Sequence, residues 1–375
     1  DNMRLLTAQL AKDEKAARTI FDIEYEEPIE SSNCTVAILN YNGEHYLESY
    51  LPTVLYSSTA LTNYTVIDNG STDGSLEYLE DWHPELELVR LTKNYGFAGG
   101  YNRGLKHVDS KYTVILNSDV IVEKYWLDPI FDMMNTDKEI GIVQPKILSL
   151  EKKNEFEYAG AAGGWLDTLG YPFCRGRIFD TLEEDNGQYN TTEEVFWASG
   201  AAMVVRTKLF KALGGFDKDF FAHMEEIDLC WRFQAMGYEI WVEPKSKVYH
   251  KNGVSLPMNS QKKYYLNHRN SLIMILSNYS IPLSMYLGSI RLMFEFIAFL
   301  YALKKLDYNH MIGILKSGLW LVINPVTIIK KRINFKKIRR VNDKKIIENM
   351  TKNSIVMQHY LFRKKTYSDI VSKKD

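Results

Sequence analysis

The sequence predicts an α/β fold, a parallel sheet wrapped by helices, followed by a helical C-terminal region of different character. Three observations carry this reading. From residue 35 short apolar runs alternate with helical periodicity, as crossover units require. Several of these runs end in polar clusters, which in an open α/β sheet share one edge and open onto one crevice. Beyond residue 260 the chain changes to long apolar runs and then to a basic segment. Residues 1–30 are expected to form a helical arm, 31–260 the α/β domain, and 261–375 a helical, membrane-associating region.

Strands are expected at about 35–40, 64–68, 86–91 and 112–117, with helices near 44–58, 74–82 and 98–108. The first strand closes with Leu39-Asn-Tyr-Asn42, the second with Ile67-Asp-Asn-Gly-Ser-Thr-Asp-Gly-Ser75, and the fourth with Leu116-Asn-Ser-Asp119. Further along, strands are expected at Ile140 to Leu148, Val195 to Val205 and Glu239 to Tyr249, and a helix from about 224 to 236. Composition narrows the classes. With 375 residues, 45% of them hydrophobic and 25% charged, the chain can build a sizeable core and is neither disordered nor fibrous. A net charge of −1 gives the whole molecule no nucleic-acid signature. The three cysteines have no metal-ligand spacing and suit a reducing compartment, so a cytoplasmic setting is expected. Arg4 to Ile23 mixes charges throughout and carries no secretory pattern.

The C-terminal region reads as membrane-associated. No charged side chain occurs between Asn270 and Ile290, and the runs Leu292 to Leu303 and Met311 to Ile329 follow. Pro282, Arg291, Glu295, Lys316 and Pro325 interrupt them, which favours helices lying on or in the membrane surface over full spans. Lys330 to Lys345 then holds nine Lys or Arg residues against one acid, Asp343, a composition that attracts an anionic leaflet. A helical subdomain with a solvated basic face is the alternative.

Five features carry the chemistry. Asp119, at a strand end beside Asn117, is placed to hold a hard cation together with a substrate diphosphate. Asp68 ends the second strand and is expected to point at a ligand as a base- or ribose-binding acid, whereas Asp73 reads as ordinary cap chemistry. The glycine-rich stretch Lys93 to Gly104 offers backbone amides at a helix start, suited to a phosphate, with close helix-to-sheet packing at Gly99 and Gly100 as the plainer role. On the helix near 224–236, Glu226 shares the apolar stripe of Leu229, Cys230 and Phe233, where burial would raise its pKa toward that of a general base. Glu225 and Asp228 lie on the face of Arg232, and Asp228 with Arg232 is expected to form a salt bridge. His250, at a late strand end, is an acceptable third contact in a metal shell.

In order, the motifs "LNYN" (39–42), "VIDNGSTDGS" (66–75), "NYGFAGGYNRG" (94–104), "LNSD" (116–119), "WASGAAMVVR" (197–206), "GGFD" (214–217), "MEEIDLCWRFQAMGY" (224–238) and "VYH" (248–250) resemble the family 2 glycosyltransferases of the GT-A fold, especially the rhamnosyltransferase-like branch. The resemblance covers about residues 35–255. It implies a Rossmann-like nucleotide-binding sheet continuous with an acceptor-binding half, and an inverting, metal-dependent transfer from a nucleotide sugar to a hydroxyl. Glu226 is then the catalytic base, and Asp119 and His250 hold Mg²⁺ or Mn²⁺. Asn40, Tyr41, Asp68, Asn94, Gly99, Asn102, Asn117 and Ser118 lie at the donor nucleotide, and Trp197, Ser199, Gly200 and Glu225 at the donor or acceptor sugar. Two positions depart from the family pattern: Asn117 replaces the first acid of the DxD-type motif, and Glu226 stands where Asp is usual. The branch suggests dTDP-L-rhamnose as donor, with UDP-hexoses second, and a lipid-linked saccharide acceptor at the cytoplasmic leaflet in cell-surface polysaccharide synthesis. A dehydrogenase would carry GxGxxG after the first strand, and Asn40-Tyr-Asn-Gly43 is no such loop. A non-catalytic carbohydrate-binding relative would be expected to lose Asp119, Glu226 or His250.

Overall fold

The computed structural model describes residues 34–57, 62–251 and 259–371. The expected N-terminal arm (1–30) and most of the loop after His250 lie outside the described residues. Within them, β1 (Cys34–Asn40), α1 (Glu44–Ser57), β2 (Thr62–Asp68), α2 (Ser75–Trp82), β3 (Glu87–Arg90), α3 (Gly96–Gly104) and β4 (Tyr112–Asn117) follow in the expected order. β1 pairs in parallel with β2 and β4, and β2 with β3. Side-chain alternation divides the core between the two faces of the sheet. Cys34, Val36 and Ile38 join Leu47 and Leu51 of α1 on one face, while Ala37 joins Ala98 and Tyr101 of α3 on the other. Burial on both faces is why these strands read as continuous apolar runs. Gly100 has the packing role expected of it, since a Cβ there would sit 2.7 Å from the Leu39 side chain.

The parallel pattern ends after β4. The chain continues through β5 (Val120–Val122), α4 (Asp128–Thr136), β6 (Ile140–Ser149), a small antiparallel sheet of β7 (Gly164–Leu166), β8 (Pro172–Cys174), β9 (Arg177–Ile178) and β10 (Thr181–Leu182), then β11 (Glu193–Glu194), β12 (Ala202–Arg206), α5 (Thr207–Ala212), α6 (Glu225–Ala235) and β13 (Glu239–His250). The main sheet is nine-stranded, in the order β11-β13-β6-β12-β4-β1-β2-β3, with β5 on β13. β12 runs antiparallel between β4 and β6, so the sheet is mixed and not parallel throughout. The strand expected over 195–205 shortens to β12. Its first half is buried, yet the amides of Val195, Phe196 and Trp197 bond the carbonyls of Ile240 and Gly164 and build no long ladder.

Six helices follow: α7 (Gln261–Asn278), α8 (Ile281–Lys304), α9 (Tyr308–Ile323), α10 (Pro325–Ile338), α11 (Asp343–Glu348) and α12 (Tyr367–Ile370). α7 packs on α6 and against α8, α9 and α10. The uncharged stretch 270–290 is two helices, broken at Asn278–Ser280 with Pro282 in the first turn of α8. Among the described residues only α8 is by itself long and apolar enough to cross a membrane, and α9 and α10 form a pair bent by 75°.

The polarity of α8 is the reverse of a soluble helix. The two charged residues in its middle point inward: Arg291 donates to Glu295 (2.6 and 2.9 Å), to Ser271 Oγ (3.0 Å) and to the Leu169 carbonyl (2.9 Å), and Glu295 also meets His268 Nδ1 at 2.5 Å. Its apolar residues point outward, with Met285, Tyr286, Leu292, Met293 and Phe296 more than half exposed. Leu315, Leu319, Val322 and Ile323 of α9 and Val326, Ile329 and Ile333 of α10 extend this exposed apolar surface.

Candidate active site

A long-range register builds the candidate metal corner. β4 turns through Ser118 and Asp119 into β5, which pairs antiparallel with β13 so that Val120 faces His250. Asp119 and His250, both buried, therefore meet across 131 positions of sequence, with Asp119 Oδ1 3.1 Å from His250 Nε2. The Asn117 amide lies 3.4 Å from the same nitrogen. On the far side of the ring, His250 Nδ1 faces Oε1 of buried Glu157 at 3.2 Å. Burial pulls the proton affinity of His250 down more than any other single influence, but the two flanking carboxylates together hold it well above the ordinary imidazole range. Sequence reasoning missed Glu157; its one signal was an acid set between Phe156 and Tyr158.

A carboxylate and an imidazole are the donor chemistry that Mn²⁺ or Mg²⁺ accepts. Among the described residues no group of three or more His, Cys, Asp or Glu side chains is arranged to hold a cation. The protein can offer Asp119 and His250, and a diphosphate would have to supply the rest.

The donor edge is tied largely to itself. Asp68 is fully buried: Oδ1 accepts from Asn40 Nδ2 (3.3 Å), and Oδ2 from the amides of Gly70 (3.2 Å) and Ser71 (3.0 Å). Asp68 thus shapes its own loop first, where the sequence suggested a carboxylate aimed at ligand. Asp73 caps α1 by accepting from the Glu44 amide, and Glu44 returns the favour at Gly74. Asn94 accepts from the Gly96 amide and the Phe97 amide bonds the Phe221 carbonyl, so the first two amides of α3 are engaged within the protein. Asn102 grips Phe216 at both ends of its amide (2.6 and 2.8 Å), which engages it in holding α3 to the Gly214–Asp217 loop. Gly99 accepts from its own helix partner Arg103. Tyr41 is exposed and Ser118 half-buried, both open to a ligand at the strand ends.

The sugar-site residues are deeper than expected. Trp197 is buried and donates to the Trp165 carbonyl at 2.9 Å, Ser199 is held by Gln144 at 2.7 Å, and a Cβ on Gly200 would lie 2.7 Å from the Phe97 ring. They form the floor beneath the site.

The base wall is α6 and the segment leading into it. Phe221, His223 and Met224 all adopt left-handed backbone (φ 64°, 67° and 71°), a conformation that costs about 1–3 kcal/mol per non-glycine residue and persists only where neighbours enforce it. The enforcement comes from α7. Asn270, fully buried, donates to the carbonyls of Phe220, Ala222 and His223 (3.1, 3.1 and 2.7 Å), and Arg269 donates to those of Asp219 and Phe220. Gly96 completes the clamp, because any Cβ there would strike the Phe221 carbonyl at 2.6 Å.

Glu225 and Glu226 open α6, each with an Oε2 atom that has no hydrogen-bond partner among the described residues. Burial lifts both carboxyls, Glu226 to about 7 and Glu225 well above the ordinary carboxylate range, with the Glu226 charge adding to the effect on Glu225. Glu226 keeps partial solvent contact, while Glu225 is buried. The sequence put Glu225 and Asp228 on the face of Arg232. That face is covered, because α7, α10 and α11 all pack on α6. The expected Asp228–Arg232 salt bridge forms at 2.7 Å, inside the molecule, with Asn278 donating to the second Asp228 oxygen at 3.0 Å.

Residues 35–214 match the family model for Glycosyl transferase family 2, and the chain carries a glycosyltransferase domain of that family. Among curated relatives, the N-acetylglucosaminyl-diphospho-decaprenol L-rhamnosyltransferase of Mycobacterium tuberculosis is 23% identical over 65% of this chain and 84% of its own length. The low-salt glycan biosynthesis hexosyltransferase Agl10 of Haloferax volcanii is 22% identical over 64% of this chain and 74% of its own. In fold, the chain resembles a crystal structure of GalNAc-T7 with UDP, GalNAc and Mn²⁺, with a TM-score of 0.59, 14% identity, and coverage of 94% of this chain and 63% of that one. The GT-A expectation is thereby met.

Proposed function

We propose that this family 2 glycosyltransferase moves a sugar, with inversion, from a nucleotide-sugar donor to a hydroxyl of a lipid-linked saccharide at the cytoplasmic leaflet, as a step in cell-surface polysaccharide synthesis. The observation that carries the reading is the presence of an Asp119–His250 corner together with a Glu226 carboxyl that has one unpartnered oxygen and is raised by burial to about 7, which suits a general base. Glu226 accepts the proton of the acceptor hydroxyl as its oxygen attacks the anomeric carbon, and the bond to the nucleoside diphosphate breaks. Burial and the neighbouring Glu226 charge push the Glu225 carboxyl well above the ordinary carboxylate range. Asp119 and His250 would hold Mn²⁺ or Mg²⁺, which when bound neutralises charge on the departing diphosphate. Tyr41, Ser118 and Asn117 are the donor contacts this reading favours, over a loop shaped by Asn40 and Asp68.

The donor best matched is dTDP-L-rhamnose, on the likeness to the mycobacterial rhamnosyltransferase; a UDP-hexose is second, on the likeness to the haloarchaeal hexosyltransferase. Two features support a lipid-linked acceptor. The outward-facing apolar side chains of α8, α9 and α10 suit burial in a leaflet, where a large apolar side chain fully withdrawn from water contributes about 1.5–3 kcal/mol. Exposed Lys330, Lys336, Lys337 and Lys344 beside them suit an anionic surface, although Lys331, Arg332 and Arg339 of the same basic run are engaged internally.

Incubating the protein with a panel of nucleotide sugars and a polyprenyl-diphosphate saccharide, with and without Mn²⁺, and following nucleoside diphosphate release tests this directly. Release from one donor, dependent on acceptor and metal, is expected. No release from any sugar nucleotide would overturn the proposal.

A further inference from the structure

We infer that Glu157 is a positioning residue of the metal corner: its carboxylate fixes the ring of His250 so that Nε2 is presented toward Asp119. This rests on the assignment of Asp119 and His250 to a divalent cation. The two strands that bring these residues together leave the other edge of the imidazole inside the protein, and there Nδ1 and Glu157 Oε1 face each other at 3.2 Å. Neither atom has an aligned hydrogen-bond partner among the described residues, although both are buried, so each is the other's nearest means of satisfaction.

The placement of Glu157 is built, not incidental. Its amide bonds the Ile147 carbonyl and Phe156 bridges Leu148, laying residues 155–157 beside β6 where β6 runs next to the His250 end of β13. Its second oxygen accepts from the Ala159 amide, which sets the orientation of the carboxylate. Metal-ligating imidazoles commonly donate their remote N–H to a carboxylate, which fixes the tautomer, orients the ring and raises the basicity of the ligating nitrogen. Here such support matters more than usual. With Asn117 in place of an acid, the protein offers a cation one carboxylate and one imidazole, so a tilted ring forfeits half of its ligand set.

The test is calorimetric titration of Mn²⁺ into the full chain saturated with dTDP, and separately with UDP, for wild type, Glu157→Gln and Glu157→Ala. Removing such a remote partner weakens metal affinity about 10–100-fold, and we expect this for Ala and a smaller loss for Gln, whose amide oxygen can still accept from Nδ1. Affinity for the nucleotide without metal and the acceptor KM should stay at wild-type values, and raising Mn²⁺ should restore kcat, a rescue that a merely structural role would not give. Unchanged Mn²⁺ affinity in Glu157→Ala, or in Glu157→Gln should the alanine variant fail to fold together with a kcat loss that Mn²⁺ does not restore, overturns the inference. Wild-type nucleotide binding that is indifferent to Mn²⁺ would instead overturn the metal assignment on which it rests.

Discussion

The two walls of the cleft are built in opposite ways. On the donor side, Asn40, Asp68, Asp73, Asn94 and Glu44 bond the loops that carry them or loops one strand away. On the base side, a strained left-handed segment is held by Asn270 and Arg269, almost fifty residues downstream on α7. The difference teaches that the C-terminal region is not an appended anchor. α7 holds the segment before α6 from its middle and, through Asn278, Asp228 from its C-terminal end, while its neighbours α8 and α9 carry the exposed apolar surface. Removing residues 270–375 would therefore test catalysis and membrane binding together, and point substitutions are needed to separate them.

The sharpest contrast between the walls comes from Glu226→Gln. General-base catalysis contributes roughly 10²–10⁴-fold, so transfer should fall by that range while calorimetry shows unchanged nucleotide affinity; full activity in this variant would remove Glu226 as the base. Next, Asn270→Ala should release the carbonyls of Phe220, Ala222 and His223 and displace Glu226, with a loss in kcat of about 10²-fold expected for misplacement near 1 Å. Donor affinity should not change, and a loss of donor affinity equal to the loss in kcat would break the separation of the two walls. Conversely, Asp68→Ala should loosen the Gly70–Ser71 turn and weaken nucleotide binding while leaving the pH profile of kcat intact.

A smaller effect concerns pH. Because burial raises Glu226 to about 7 from an ordinary value near 4.5, kcat should rise with pH through about 7 and then level off. Stability runs the other way: the folded state binds this proton more tightly than the unfolded chain, so the contribution is fully present below about 4.5 and is lost as pH rises through about 7. The melting temperature of wild type should therefore decline between pH 5 and 8 more than that of Glu226→Gln, a difference calorimetry can resolve. The smallest change in the catalytic site should come from Leu292→Asp with Phe296→Asp on α8. Both side chains are more than half exposed, so melting should shift little while flotation with anionic vesicles falls; unaltered flotation would count against the membrane surface.

Much of this molecule is readable from local pattern. The apolar runs and polar strand ends locate β1 to β4, and the i, i+4 spacing of Asp228 and Arg232 locates their salt bridge, because both depend on neighbours in sequence. The direction of β12 is not readable, since an apolar strand carries no mark of which way it will run. The same limit applies to the faces of α6: helical periodicity put Glu225 on the face of Arg232, and only packing by α7, α10 and α11 made it buried.

By itself, then, the sequence determined which residue types stand at each strand end and helix start, and so the chemistry that could be assembled: Asp119, His250, Glu226 and their order along the chain. Tertiary structure alone decided the company they keep. The β5–β13 register set His250 against Asp119, the return of 155–157 along β6 set Glu157 behind the ring, and α7 locked the entry to α6. Each is a contact between segments far apart in sequence, and its formation depends on strand register and helix packing, which composition and periodicity do not encode.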